Sequence, residues 1–239
     1  MHRHLGATVV LPDGYGNSRL HYPTIYLLHG YGGNHEVWPR LAPLEALADS
    51  LHLIFICPDG ENSWYLDSPQ SSGSLFETFI TRELLPYIDS GYRTVKSPRG
   101  RAVLGVSMGG HGAVLLLERH GDLFSASAAI AGIMDLTEFP QKWGLTRILG
   151  PLSDYPDRWA AASCISGIGS LDKRSALLIL DCGLDDFALP GNREMDRRLA
   201  DAGIRHTFAS QPGRHDLRYA QKVAAGDIGT LSEALTKAY

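Results

Sequence analysis

Cysteine is scarce in this chain. Its 239 residues include three, Cys57, Cys164 and Cys182, too few and too scattered for a disulfide scaffold. No CxxC pair and no Cys/His spacing suited to a metal occurs, so no metal site is expected. A reducing compartment fits this usage, and a cytoplasmic location is expected. No apolar stretch reaches the roughly 18 residues that a membrane helix needs, so no membrane partner is expected. Behind Met1-His2-Arg3-His4-Leu5-Gly6 no apolar run follows, and no signal peptide is expected. Lys and Arg nowhere cluster, and the formal charge is -4. Such a chain has no electrostatic reason to hold DNA or RNA. Internal repeats and low-complexity tracts are lacking as well.

What is present is ordinary for a globular protein, with 44% apolar and 20% charged residues. A chain of this length folds most simply as one α/β unit, residues 1–239, able to bury about 70% of its unfolded surface. Short apolar or β-branched runs predict strands at 8–11, 24–28, 51–57, 102–106, 127–131, 176–181 and 205–209. Stretches of helical period lie at 38–50, 75–89, 109–120, 191–202 and 217–237. Alternation of the two predicts a mostly parallel central sheet with helices on both faces. The continuous run Leu53-Ile54-Phe55-Ile56 suits a strand buried on both sides. Residues 58–74 are rich in turn formers and read as a long loop. Residues 133–175, broken by Pro140, Gly144, Gly150, Pro151, Pro156, Gly167 and Gly169, read as an irregular, lid-like insertion over a site.

The sharpest motif is Gly105-Val106-Ser107-Met108-Gly109, between the apolar run RAVLGV and the helical stretch GHGAVLLLERH. G-x-S-x-G gains its meaning from that strand-to-helix setting, where a crowded turn lifts a nucleophilic hydroxyl above the sheet. A serine nucleophile needs a general base, and the base needs an orienting acid. In this architecture the acid and then the histidine follow the serine along the chain. Among ten histidines, His215 combines a late position, a Pro-Gly loop and a strand end. His206 lies inside a strand, His52 at a strand start and His120 at a helix end, while His111 sits on the elbow helix. For the acid, Asp181, Asp185 and Asp186 all stand near one strand end, and spacing does not choose between the last two. Backbone N–H groups that receive a developing oxyanion are expected from Met108 and from the loop His29-Gly30-Tyr31-Gly32-Gly33, on Tyr31 or, failing that, Gly32.

The succession YLLHGYGGNHEVW, PDGENSWYLDSP, ETFITRELLPYIDSGYRT, GVSMGGHGA, DCGLDDF and GRHD resembles the esterase D family of α/β-hydrolases over about residues 5–235. That family includes tributyrin esterases, S-formylglutathione hydrolases, feruloyl and acetylxylan esterases and mycolyltransferases. The loop HGYGGN departs from the cysteine-containing loop usual in the S-formylglutathione hydrolases, and the nearer likeness is to small tributyrin-type esterases. The resemblance implies an α/β-hydrolase fold and hydrolysis of small-molecule esters with short acyl or sugar or phenolic parts, or acyl transfer by the same residues. It implies the triad Ser107, Asp186 and His215, with Asp186 placed three residues after Gly183. It puts an oxyanion donor on Tyr31. It places Asn62 and Trp64 against the substrate, where Gly32 of the glycine-rich loop is also expected, and it implies no cofactor. Trp64, Tyr65, Trp143 and Trp159 are either a wall for a ring or anchors of long loops.

Overall fold

The computed structural model describes residues 4–171 and 177–235. Seven strands form one sheet: β1 (Ala7–Val10), β2 (Thr24–Leu28), β3 (Ile54–Pro58), β4 (Arg101–Val106), β5 (Ala126–Ile130), β6 (Leu177–Gly183) and β7 (His206–Gln211). Their order is β1-β3-β2-β4-β5-β6-β7. Only β1 runs antiparallel, against β3; every other pairing is parallel. Strands β2 and β3 are buried along their whole length, as their unbroken apolar character requires.

Alternation splits the core into two layers. Tyr26, Leu28 and Val103 point to the face that carries the helix Met108–Arg119 and the short helices after β5. Ile25, Leu27, Ala102 and Leu104 point to the other face, under the helices Leu44–Leu51 and Leu217–Ala234. At about 25 cal/mol per Å² of apolar surface, these two layers are the main source of stability.

Four expectations change in detail. The helix expected over 38–50 is two helices, Trp38–Leu41 and Leu44–Leu51, because Pro43 has no N–H to continue the ladder. The strand expected from Leu51 begins at Ile54, since Leu51 ends a helix and His52 closes it in a left-handed cap with φ 54°. The stretch 75–89 is helical but contains a π turn, Phe79–Leu84, just before Pro86. A wider turn there accommodates the missing proline donor. Residues 133–171 are not irregular: they fold into the helices Leu145–Leu149, Pro156–Ala162 and Cys164–Gly167 and two 3-10 turns, Leu136–Glu138 and Ile168–Ser170. Each is too short for periodicity to reveal it. Residues 172–175 of the expected insertion, Ala176 of the expected sixth strand and Lys237 of the last helix lie outside the described residues.

Candidate active site

The turn between β4 and the helix Met108–Arg119 explains its own sequence. Ser107 has φ 57° and ψ -115°, a conformation costly for any residue with a side chain. It is held by its N–H donating to the Ile130 carbonyl at 2.9 Å and by its carbonyl accepting from His111 N–H at 3.0 Å. The neighbours must lack side chains. A Cβ on residue 105 would lie 2.0 Å from the Gly109 carbonyl oxygen, and one on residue 109 would lie 2.2 Å from that of Leu28. The glycines let β4, β2 and the helix meet, and the meeting fixes the strained serine.

His215 reaches this serine from the loop after β7. Its Nε2 is 2.8 Å from Ser107 Oγ. Its Nδ1 lies 2.9 and 3.0 Å from the two carboxyl oxygens of Asp186. A carboxylate accepts, so Nδ1 carries the proton and Nε2 is free to accept from the hydroxyl. Asp186 Oδ1 also accepts the Ala188 N–H at 2.8 Å, which fixes the carboxylate in its turn. The Asp186 side chain is fully buried, whereas that of His215 is 23% exposed, so the acid is sheltered and the base faces the cleft. The two loops are joined by Asp185 N–H donating to the Gly213 carbonyl at 2.9 Å and Leu184 N–H to that of Gln211 at 2.9 Å.

The other carboxylates are placed elsewhere. Asp185 is exposed. Asp181 accepts from the Tyr219 hydroxyl, and burial raises its pKa above the usual carboxylate range. Asp216 caps the last helix by accepting the Tyr219 N–H at 2.9 Å.

The loop after β2 runs beside the elbow. His29 is buried, donating from Nδ1 to the Gly30 carbonyl at 2.8 Å and accepting the Gly60 N–H on Nε2 at 2.8 Å. Burial pushes its pKa below the ordinary imidazole value, so it is a neutral strut between two loops. Gly32 N–H donates to Asn62 Oδ1 at 2.7 Å and Gly33 N–H to the Gly30 carbonyl at 3.0 Å. Those two bonds engage the two donors that follow Tyr31 and leave Tyr31 N–H out of them. Met108 is the first residue of its helix, where the backbone N–H has no intrahelical partner.

A cleft of about 470 Å³ opens over Ser107 and His215, bounded by Gly30, Tyr31, Gly32 and Gly33 and by Val37, Trp143, Phe187 and Leu217. Asn62 and Trp64 are not among these lining residues, Asn62 being exposed and Trp64 buried. Asn62 supports Gly32, and Trp64 is buried with its ring 5.7 Å from Trp143 and 5.5 Å from His111. Tyr65 and Trp159 are buried anchors; their polar tips donate to the His29 carbonyl at 3.1 Å and the Gly150 carbonyl at 2.9 Å. Of the four aromatics singled out in the sequence, Trp143 lines the cleft. Sequence reasoning missed Phe139 and the position of Phe187. Trp143 and Phe187 stack at 5.7 Å and 29°, and Phe139 lies 5.2 Å from one ring and 5.8 Å from the other. Phe139 and Trp143 share the segment before the helix Leu145–Leu149, Phe187 comes from the loop after β6, and no local pattern joins the two segments.

Among the described residues no group of three or more His, Cys, Asp or Glu is placed to hold a metal ion. Among the same residues no helix is long and apolar enough to cross a membrane.

Comparison with known proteins agrees with this geometry. A family model described as "Putative esterase" matches residues 1–223. An esterase of Mycobacterium tuberculosis is 30% identical over 241 residues, covering 89% of this chain and 53% of that protein. The chain thus spans about half the length of that curated relative. An acetyl esterase of Caldicellulosiruptor saccharolyticus is 27% identical, covering 88% of this chain and 83% of that one. Among solved structures, a ferulic acid esterase superposes with a TM-score of 0.80 at 29% identity, covering 96% of this chain and 92% of that one. An S-formylglutathione hydrolase of Staphylococcus aureus shares the fold with a TM-score of 0.84 at 21% identity, covering 96% of this chain and 93% of that one. With its mostly parallel seven-stranded sheet, its strand-to-helix elbow and a family match over nearly its whole length, the chain belongs to the Esterase family and has the α/β-hydrolase fold.

Proposed function

We propose that this protein is a serine hydrolase of carboxylic esters, with Ser107 as nucleophile, His215 as general base and Asp186 as orienting acid. One observation carries the reading: the continuous relay from Asp186 through both ring nitrogens of His215 to Ser107 Oγ, with contacts of 2.8 to 3.0 Å. An isolated serine hydroxyl is a weak nucleophile, and this relay is the arrangement that activates it. Family membership and the acetyl esterase relative support the same chemistry.

In the reaction, His215 Nε2 takes the Ser107 proton as Oγ attacks the ester carbonyl. Asp186 keeps the ring in the tautomer that leaves Nε2 free and stabilises the imidazolium. Tyr31 N–H and Met108 N–H receive the oxyanion, each such donor lowering the barrier by on the order of 3 kcal/mol. The proton then passes to the leaving oxygen, the alcohol departs, and water attacks the acyl-enzyme by the reverse path. No cofactor enters these steps. The substrates are small esters with short acyl or with sugar or phenolic parts. In the same reading, residues 133–171 belong to an insertion over the site within one α/β-hydrolase domain.

Ser107→Ala is expected to abolish hydrolysis of p-nitrophenyl acetate while circular dichroism stays unchanged. Full activity in that variant would refute the assignment. Product analysis with added alcohols separates hydrolysis, which gives free acid alone, from acyl transfer, which gives new ester.

A further inference from the structure

We infer that Phe187 and Trp143 form a binding slot for the leaving group, and that the alcohol which fits it carries a flat apolar ring, as a phenol does. The inference rests on the ester-hydrolase reading and adds to it which end of the ester meets the aromatic wall.

The two ends of an ester are distinguished by the proton. In acylation the Ser107 Oγ–carbonyl carbon bond forms and the carbonyl carbon–leaving oxygen bond breaks. The serine proton goes to His215 Nε2 and from there to the departing oxygen. That oxygen must therefore come within hydrogen-bond reach of Nε2. Whatever packs beside the imidazole packs beside the leaving group.

Phe187 occupies that place. Its ring centroid is 4.4 Å from that of His215, with a 39° tilt. A large apolar ring at this position is nonetheless 46% exposed. It is also rigid. It directly follows Asp186, and the Ala188 N–H bond to Asp186 Oδ1 fixes the short turn between them. Trp143 extends the surface by stacking on Phe187. Trp143 is backed by buried Trp64 at 5.7 Å and takes φ 50° to hold its ring there. Val37 and Leu217 add aliphatic surface to the cleft lining. Aromatic faces and aliphatic side chains lining one cleft suit a flat, uncharged ring. A leaving group covered in hydroxyls lacks partners on those side chains.

The test compares three esters on Phe187→Ala, on Phe187→Leu and on Trp143→Ala. Phenyl acetate and trifluoroethyl acetate share the acyl group and differ in the leaving group. Trifluoroethyl benzoate and trifluoroethyl acetate share the leaving group and differ in the acyl group. Each variant-to-wild-type ratio of kcat/KM cancels the intrinsic reactivity of the ester. Phenyl acetate is expected to lose about three- to tenfold relative to trifluoroethyl acetate, the range expected for one aromatic contact. The benzoate-to-acetate ratio is expected to change less than twofold. Equal loss on both acetates overturns the proposal and leaves Phe187 as a support for His215. Loss confined to the benzoate also overturns it, by placing the wall on the acyl side. Fluorophosphonate labelling of Ser107 is measured first on every variant, because it reports the relay without using a leaving alcohol. Trp143→Ala leaves Asp186 and His215 untouched and decides the matter if the Phe187 variants fail to label. Failure of the triad itself appears separately, as unimpaired turnover by Ser107→Ala.

Discussion

At the elbow, backbone presses against backbone at Gly105 and Gly109 on either side of Ser107, with no space there for even a methyl group. In the cover formed by residues 131–171, position is set by side chains. Trp143 leans on Trp64, Phe139 and Phe187, and the helix Pro156–Ala162 is tied down by His111. The elbow is fixed by the sheet. The cover is a set of short helices held by ring contacts. In the proposed function, the contrast separates the groups that do the chemistry from the groups that select what undergoes it. It also predicts that damage to the first region is severe and damage to the second is graded.

The largest effect is expected at the relay. Asp186→Asn keeps the shape but removes the charge that sets the His215 tautomer, and kcat on p-nitrophenyl acetate is expected to fall about 10⁴-fold. Asp185→Asn, one residue away and exposed, is the matched control and is expected to stay within twofold. Comparable losses in both would mean that the burial of Asp186 does not mark the acid.

Next comes the backbone crowding itself. In Gly105→Ala the added methyl meets a carbonyl at 2.0 Å, and neither partner is the flexible end of a side chain. A destabilisation of about 3 kcal/mol or more is expected in urea titration, with loss of the strained Ser107 conformation. An alanine there with unchanged midpoint would show that the elbow yields.

The link between the two regions is expected to break in acid. His111 is buried on the elbow helix, and its Nε2–H donates to the Ala162 carbonyl of the cover at 2.7 Å. Burial lowers its pKa from 6.5 to about 4, with the Ala162 bond pulling partly the other way. Unfolded chains therefore bind more protons than folded ones between those two values. Stability is full above about pH 6.5 and declines as pH falls toward 4, by on the order of 3 kcal/mol. Denaturant titrations at several pH values check this, and His111→Gln is expected to flatten the slope. A slope that stays the same would assign the acid sensitivity to another group, such as His29.

Legibility followed the same division. The strands were readable because a sheet buried on both faces demands unbroken apolar runs such as Leu53 to Ile56. Only their ends moved, where His52 took a left-handed cap. The elbow was readable because its crowding is local, so a few consecutive residues carry the whole signal. The acid was not readable from spacing: Asp181, Asp185 and Asp186 differ in burial and partners, which only the folded chain supplies. The family resemblance named Asp186 before the geometry brought it to His215. Asn62 and Trp64 came with the same resemblance, and neither is among the residues that line the cleft. The wall itself joins Phe139 and Trp143, from one segment, to Phe187, on a loop 44 residues beyond Trp143. No periodicity marks such a meeting.

The smallest effect tests how soft the cover is. Gly144 follows Trp143 and turns the chain with φ 68°. A Cβ there would meet nothing nearer than the Tyr31 hydroxyl at 3.9 Å. Gly144→Ala therefore adds no clash and costs only the left-handed conformation, about 1 kcal/mol. A fall in melting temperature of a few degrees is expected, since a domain of this size shifts by about 2–4 °C per kcal/mol. The same methyl group is thus tolerated in the cover and ruinous at Gly105. Space, rather than the glycine itself, makes the difference. Equal cost at the two positions would end the distinction between a region held by backbone contact and one held by rings.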